Sequence, residues 1–248
     1  MLTDTEGIVL RQIKTSYNRR MILLFSRKYG KISAGTSIGE KGRSKSALAL
    51  RPFTYGRYEL FKGRDSYNIN SAEVLRSFYG IGEDVDKYMQ GAYVLEFTEK
   101  ALAEEMPAPR LFDLLIEFFQ VLEHREKGIG TLVLAYQTKM LNVLGLLPRL
   151  DTCACCGKAK PAFAFSVEEG GIVCRDCASE HENSSDSTLI SCDRFDIVKV
   201  MNYFLVNPLK KLDNIALNEE TGRVMQRLVR SYAAYHLDIS DIKSEKLV

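Results

Sequence analysis

The sequence predicts an α+β protein in which a barrel of five strands precedes a helical domain. Three observations support this fold class. Five short apolar runs alternate with turn residues over the first 80 positions. From about residue 83 the apolar residues recur at spacings of three and four, as on one face of a helix. Two cysteine pairs then interrupt the helical part. We expect domains at 1–80 and 81–248, with a separate module at 151–180.

The first domain is predicted to be a barrel because its strands are short and separated by turn residues. A loose basic stretch at 36–51 ends in Ala47-Leu48-Ala49-Leu50, which indicates a short helix between the third and fourth strands. Five strands in about seventy residues match the OB-fold, a small Greek-key barrel. Among the aromatic residues, we expect Phe25, Phe53 and Phe61 in the core. The predicted strands cover 7–11, 21–25, 31–34, 53–61 and 67–70.

Charge is distributed unevenly along the chain. Residues 1–80 contain 15 Lys and Arg but 6 Asp and Glu, whereas residues 81–248 contain 19 and 26, so a net charge of +2 conceals +9 and −7. This asymmetry predicts a module that binds a polyanion such as nucleic acid. The alternative is a basic surface that is simply solvated. The candidate contacts lie on the first strands, their turns and the basic stretch: Arg11, Lys14, Arg19, Arg20, Arg27, Lys28, Lys31, Lys41, Arg43, Lys45 and Arg51.

The second domain is predicted to be helical on both sides of the cysteine-containing module. Pro107 and Pro109 separate the first two helices, because proline ends one helix and is tolerated in the first turn of the next. Helices are expected to begin near 83, 109 and 132. Two more are expected at 193–206 and 218–237.

Four cysteines have the spacing of a structural zinc site. Cys153 and Cys156 form one C-x2-C pair, and Cys174 and Cys177 form another after seventeen intervening residues. Two such turns supply four thiolates at tetrahedral positions, which suits Zn²⁺ and leaves no open position for water. Gly157 suits a tight turn with positive φ, and the residues around 169–171 predict a hairpin between the pairs.

Other arrangements of these cysteines remain open. The thiols could be reduced and without metal, or paired as disulfides. Cys155 or His181 could replace one of the four ligands, and Cys192 is expected to be a bystander.

The sequence lacks the motifs of the common enzyme classes. It contains no G-x-x-x-x-G-K-[ST] phosphate loop, no H-E-x-x-H, no G-x-S-x-G and no G-x-G-x-x-G. A closed four-thiolate site also argues against a zinc hydrolase or nuclease, since catalysis needs an open coordination position. No apolar run reaches 18 residues, and the first residues do not resemble a signal peptide. We therefore expect a non-enzymatic cytoplasmic protein that binds no membrane.

An ordered set of motifs runs along nearly the whole chain. The most specific part joins Leu144-Gly145-Leu146-Leu147-Pro148 to the two cysteine pairs. Further runs are Glu6-Gly7-Ile8-Val9-Leu10-Arg11, residues 25–34, Arg51-Pro52-Phe53-Thr54, Asn207-Pro208-Leu209 and Tyr235-His236-Leu237. Together, and in this order, they resemble the RecO family of bacterial recombination mediators.

The resemblance implies an N-terminal OB-fold and a helical C-terminal domain that contains a zinc module. It also implies binding of single- and double-stranded DNA, annealing of complementary strands, and work with RecR to load RecA onto strands coated by single-stranded-DNA-binding protein. The alternative is an RNA-binding or transcription factor that combines a zinc ribbon with an OB-fold.

Overall fold

The computed structural model describes residues 1–14, 20–39, 45–64, 66–181, 189–191, 197–212 and 215–244. Arg19, Lys41 and Arg43, three of the predicted nucleic-acid contacts, lie outside these ranges. Of Lys14 and Lys45 only the backbone is described. The chain divides into two compact units, Met1–Arg125 with Ile242–Val248, and Glu126–Asp241. The first unit extends beyond residue 80, and whether residues 1–80 fold by themselves stays a prediction.

Five strands of the first unit form its barrel: β1 (Leu2–Lys14), β2 (Arg20–Ser26), β3 (Gly30–Thr36), β4 (Thr54–Lys62) and β5 (Tyr67–Ser77). They close in the order β1, β2, β3, β5, β4. β1 is antiparallel to β2 and to β4, whereas β3 and β5 pair in parallel. A short helix, α1 (Lys45–Ala49), connects β3 to β4. The barrel and this helix confirm the predicted OB-fold.

β1 begins earlier than its apolar run. Its ladder with β4 extends from Leu2 opposite Phe61 to Ile8 opposite Tyr55, so it includes the polar residues at 3–6. Backbone hydrogen bonds to β4, rather than side-chain hydrophobicity, hold this half of the strand in place.

Of the three aromatic residues predicted for the core, the prediction for Phe61 is wrong, because this residue is 49% exposed. Phe25 and Phe53 are buried, but against the helices that follow the barrel and not in the barrel interior. Successive residues of a strand point to opposite faces, and Tyr58 and Leu60 of β4 point into the core. Phe61 therefore points outward. Tyr58 fills the interior in its place, and its hydroxyl donates to the carbonyl of Ala49 at 2.6 Å.

Two long helices pack against the outside of the barrel within the first unit. The ring of Phe112 lies 5.3 Å from that of Phe25, and the ring of Phe119 lies 5.5 Å from that of Phe53, both edge to face. These contacts cover Phe25 of β2 and Phe53, the residue before β4, with apolar surface. The elements that follow the barrel are a 3-10 helix (Tyr79–Glu83), α2 (Val85–Ala101) and α3 (Pro109–His124).

The C-terminal segment returns to the first unit and binds one carboxylate of α2. Glu96 accepts hydrogen bonds from the backbone N–H groups of Lys243 and Ser244, both at 2.9 Å, and from the Ser244 hydroxyl at 2.6 Å. Partial burial alone would raise the pKa of Glu96, but these bonds outweigh it and lower the pKa. The carboxylate thus stays ionised and holds the segment.

The second unit is a helical assembly around a small sheet. Its central helix is buried along most of its length and packs against the two later helices. The ring of Tyr232 lies 5.9 Å from Phe165, and Nε2 of His236 lies 2.7 Å from the Val167 carbonyl, so the last helix holds the sheet. The described elements are α4 (Ile129–Val143), β6 (Ala164–Ser166), β7 (Gly171–Val173), α5 (Arg175–His181), β8 (Leu189–Ser191), α6 (Ile197–Val206), a 3-10 helix (Leu209–Leu212) and α7 (Glu219–Leu237).

Gly30 is the tightest point between the barrel and the segment that joins α2 to α3. Its φ is +69°, and a Cβ there would lie 2.0 Å from the backbone oxygen of Met106. We expect Gly30→Ala to lower the free energy of unfolding by at least about 2 kcal/mol, because a left-handed backbone and a backbone clash act together. Gly82→Ala is the matched control, since a Cβ at Gly82 meets no atom within 4 Å. Urea unfolding measures both variants, and equal midpoints would contradict the assigned packing.

Candidate metal centre and nucleic-acid interface

Four cysteine side chains of the second unit come together, as their spacing predicts. The sulfur atoms of Cys153, Cys156, Cys174 and Cys177 all lie within 4.8 Å of one another. The first two lie in a turn, the third directly follows β7, and the fourth lies in α5. The hairpin of β6 and β7 between the pairs thus brings residues distant in sequence to one point.

The local backbone explains why the first pair can turn so tightly. Gly157 has a φ of +70°, the left-handed conformation that glycine adopts at low cost, as the sequence predicts. Its N–H donates to the Cys153 carbonyl at 2.9 Å, and the Cys153 N–H donates to the Lys158 carbonyl at 3.0 Å. The backbone N–H of Cys174 also points to the Cys153 sulfur, at 3.4 Å. The two pairs are therefore linked by a hydrogen bond from the Cys174 backbone to the Cys153 sulfur as well as by proximity.

The electrostatics of the cluster favour a thiolate at Cys153. Burial alone would raise the pKa of this thiol, but backbone N–H groups of Cys156, Cys174 and Cys155 lower it to about 6. The pKa of Cys177 is raised, chiefly because its thiol hydrogen-bonds to Cys174 and is partly desolvated. Four converging sulfurs with N–H donors around them fit a metal ion that prefers soft thiolate ligands. The cluster could therefore hold a metal ion.

The possible substitute ligands are less well placed. Cys155 is exposed, and among the described residues its sulfur is not part of the four-atom cluster. Partial desolvation of its thiol, followed by the charge of Glu169, raises the pKa of Cys155 to about 11, so its thiolate is disfavoured. The side chain of His181 and the whole of Cys192 lie outside the described residues.

Three of the predicted nucleic-acid contacts are bound to the helices that cover the barrel. Arg11 Nε lies 2.9 Å from a carboxylate oxygen of Glu99, and Lys31 Nζ donates to the Glu99 carbonyl at 3.0 Å. Arg27 binds Glu6 at 3.0 Å and Asp113 at 2.5 Å. Its guanidinium also lies 4.7 Å from the centre of the Phe112 ring. The hydrogen bond to Asp113 is the largest cause of a raised pKa at Arg27. These three side chains stabilise the unit, and their role in binding nucleic acid stays a prediction.

The other described candidates are Arg20, Lys28 and Arg51. Arg20 donates to the Ile38 carbonyl and to the side-chain oxygen of Gln12, both at 2.8 Å. Arg51 is exposed just after α1. Lys28 is exposed in the turn between β2 and β3, where its ammonium lies 2.9 Å from the Thr3 hydroxyl. Arg20 and Lys28 thus have neighbours within the first unit, and the role of all these candidates in binding nucleic acid stays a prediction.

One end of the barrel carries side chains that the sequence analysis did not assign to a site. Lys62, in the last position of β4, lies with its ammonium 5.1 Å from the Tyr29 ring and 5.2 Å from the Tyr67 ring. Phe61 is exposed beside it, and Arg64 is exposed in the turn that follows. In the sequence, Lys62-Gly63-Arg64 is only a break between the predicted strands 53–61 and 67–70. Pairing of the strands brings Lys62 near the Tyr29 ring, which Lys28 also approaches.

The sequence comparisons agree with this architecture. A family model described as "Recombination protein O N terminal" matches residues 1–78, and one described as "Recombination protein O C terminal" matches residues 82–246. The chain belongs to the RecO family. This membership confirms the resemblance drawn from the ordered motifs, and it makes the chain one of a family of DNA repair and recombination proteins.

Curated relatives resemble the chain over most of their length. The DNA repair protein RecO of Alkaliphilus metalliredigens is 31% identical over 239 residues, which cover 96% of this chain and 95% of that protein. That of Listeria innocua is 31% identical over 235 residues, covering 92% and 86%. That of Caldanaerobacter subterraneus is 28% identical over 241 residues, covering 97% and 95%.

In the part of the chain that the structure describes, no helix has the length and apolar character needed to cross a membrane.

The position of Arg27 gives a prediction about stability. Arg27→Ala should lower the free energy of unfolding by about 1–2 kcal/mol, because it removes two partly exposed ion pairs and a cation–π contact. Arg64→Ala is the matched control, since this arginine is exposed in a turn and should change stability by less than about 0.5 kcal/mol. Chemical unfolding of both variants at low salt measures the difference. A loss at Arg64 as large as that at Arg27 would contradict the assignment.

Proposed function

We propose that this chain is a non-enzymatic mediator of DNA repair and recombination. It binds single- and double-stranded DNA, anneals complementary strands and, with RecR, helps to load RecA onto DNA coated by single-stranded-DNA-binding protein. The observation that carries the proposal is the family membership of both halves of the chain, together with the closed OB-type barrel in the first. Work on chromosomal DNA implies a cytoplasmic, nucleoid-associated location in a bacterium.

The barrel supports the DNA-binding part of the proposal. OB-folds bind oligonucleotides with cations that follow the phosphates and aromatic rings that stack on bases. Residues 1–80 carry a net charge of +9 and attract phosphates, whereas the remainder carries −7 and repels them. The predicted contacts at Arg19, Lys41, Arg43, Lys45 and Arg51 belong to this proposal.

The mechanism is energetic rather than chemical. Two complementary strands repel each other through their phosphates, and a basic protein that neutralises some of these charges lowers the repulsion. Counterions released from the DNA supply much of the driving force, so the activity depends steeply on salt. No nucleotide hydrolysis is needed, because pairing of complementary strands is itself favourable.

The four-cysteine cluster is proposed to hold one structural Zn²⁺ through Cys153, Cys156, Cys174 and Cys177. Four thiolates fill a tetrahedral zinc shell, which leaves no position for a substrate or an activated water. The metal would stabilise the loop and hairpin at 151–180, which contain only short strands and one short helix. Zinc would thus support the second unit without taking part in annealing.

Elemental analysis of the purified protein tests the metal assignment. We expect one Zn²⁺ per chain, and Cys174→Ser should lose it because a buried ligand is removed from a closed shell. Cys155→Ser is the matched control: it removes a neighbouring thiol outside the cluster and should keep the metal. Lowering the pH should also release zinc, since protons compete for the thiolates. Wild-type protein without metal, or full zinc content in Cys174→Ser, would refute this ligand set.

An annealing assay tests the proposed activity. The full chain should accelerate pairing of complementary oligonucleotides without ATP, and the acceleration should fall steeply between low and physiological salt. Fluorescence quenching between labelled strands measures the rate. A requirement for nucleotide hydrolysis would contradict a non-enzymatic mechanism. Preference for RNA over single-stranded DNA of equal length would instead favour an RNA-binding or transcription factor.

A further inference from the structure

A fifth thiol lies against the four-cysteine cluster. Of the five cysteines that the structure describes, Cys155 alone is outside the cluster, and it is exposed. Its sulfur nevertheless forms hydrogen bonds with the sulfurs of Cys153 and Cys177. A structural zinc site is complete with four thiolates, so the metal has no use for a fifth. A spare thiol in contact with two ligand sulfurs is placed to react with them.

The four ligands differ in their exposure to solvent. Cys153 and Cys174 are buried, whereas Cys156 is exposed and Cys177 is half-buried. A small oxidant dissolved in water therefore reaches the second cysteine of each pair and not the first. A bound zinc ion keeps its ligands as thiolates, the form of sulfur that oxidants attack. Cys156 and Cys177 are thus the ligands open to oxidation.

Backbone geometry distinguishes these two ligands as partners for Cys155. Cys156 is its neighbour in sequence, so their Cα atoms are about 3.8 Å apart, below the range of about 4.4–6.8 Å that disulfides usually span. Cys177 belongs to a different element, α5, and its sulfur already contacts that of Cys155. A disulfide from Cys155 is therefore favoured with Cys177.

Neighbouring side chains hold the start of α5 beside the loop that follows the first cysteine pair. The ammonium of Lys160 lies 2.5 Å from a carboxylate oxygen of Asp176. The guanidinium of Arg175 lies 4.8 Å from the centre of the Phe163 ring. Lys160 also interacts electrostatically with thiolates of the cluster, and a nearby cation is typical of cysteines that react with oxidants. An ion pair and a cation–π contact thus help to keep the two sulfurs together.

We propose that Cys155 is an oxidation site, at which a hydroperoxide joins it to Cys177 in a reversible disulfide and so opens the cluster. The Cys177 thiolate attacks the peroxide and its O–O bond breaks, which leaves a sulfenic acid at Cys177 and, with a proton from solvent, an alcohol or water. The Cys155 thiol then attacks the Cys177 sulfur to form the S–S bond, and the departing hydroxide takes the thiol proton and leaves as water. Two electrons pass from the two sulfurs to the peroxide.

The disulfide removes one of the four ligands. Three remaining thiolates hold a metal less tightly, because the tetrahedral shell is no longer closed. Residues 151–180 contain only short strands and one short helix, so loss of the metal loosens this segment. Reduction of the disulfide restores the fourth thiolate. This inference rests on the proposed zinc site, does not depend on DNA binding, and gives the second unit a reversible response to hydroperoxides.

Hydrogen peroxide added to the zinc-loaded full chain, with no other thiol present, tests the proposal. We expect zinc to be released, which a metal-binding dye measures, and a disulfide to form between Cys155 and Cys177. Mass spectrometry of peptides from the non-reduced protein identifies the bonded pair. Later reduction with dithiothreitol in the presence of zinc should return the metal content to its starting value, since disulfide formation is reversible.

Cys155→Ser separates the fifth thiol from the ligands. The variant keeps its four ligands and its zinc, but a sulfenic acid at Cys177 then lacks its partner thiol. Dimedone should trap this sulfenic acid at least about five-fold more than in the wild type, and further peroxide should convert it to a sulfinic acid that dithiothreitol does not reduce. Zinc content after reduction should stay below about half of the wild-type value. Ala154→Ser, which keeps all the thiols, is the matched control and should behave as the wild type.

The outcomes separate this proposal from the metal assignment. A wild-type disulfide other than that between Cys155 and Cys177 would overturn the role of Cys155 while the zinc site stands. Equal recovery of zinc by Cys155→Ser and the wild type would do the same, as would a wild-type chain that keeps its zinc and forms no disulfide. If the purified chain holds no zinc before oxidation, the metal assignment fails and this proposal fails with it.

Discussion

Closure of the barrel through β1 is the constraint on which the rest of the first unit depends. β1 pairs with β2 along one edge and with β4 along the other, so neither edge of the sheet is left open. Closure fixes the register, and register decides which side chain of each strand faces the interior. Tyr58 is buried and Phe61 exposed for this reason alone. The same constraint places Lys28, from one turn, beside Tyr29 and within reach of the end of β4.

Net charge along a sequence and charge available on a surface are different quantities in this molecule. The first 80 residues are strongly basic, yet Arg11, Arg27 and Lys31 are bound by groups from α2 and α3. The carboxylates of Glu99 in α2 and Asp113 in α3 form ion pairs with Arg11 and Arg27 of the barrel. Together the two helices bind three of the cations that the sequence analysis assigned to nucleic acid. A net charge of +9 over residues 1–80 therefore overstates the basic surface that a strand of DNA would meet.

Short-range features of the chain could be predicted well from the sequence. The four cysteines were recognised because C-x2-C turns impose their own geometry, and the start of α3 was recognised because Pro109 suits a first turn. The outward position of Phe61 could also be predicted, since alternate residues of a strand point to the same face and Arg57 and Glu59 are charged. A contact such as that between Arg11 and Glu99, which are 88 positions apart, leaves no signal in the sequence, because no local pattern of residues specifies the partner. For the same reason, the sequence could propose a basic module but not say which cations remain exposed.

The hydrogen bonds between Glu96 and the segment at 243–244 also affect how the protein is made on the ribosome. Glu96 belongs to a unit whose main part ends at Arg125, but its partners are synthesised only after the 116 residues of the second unit, Glu126–Asp241. At roughly 5–20 residues per second, this delay is on the order of ten seconds. During that time the first unit lacks the hydrogen bonds between Glu96 and the segment at 243–244. A translation product that stops before residue 243 would have a first unit without this anchor.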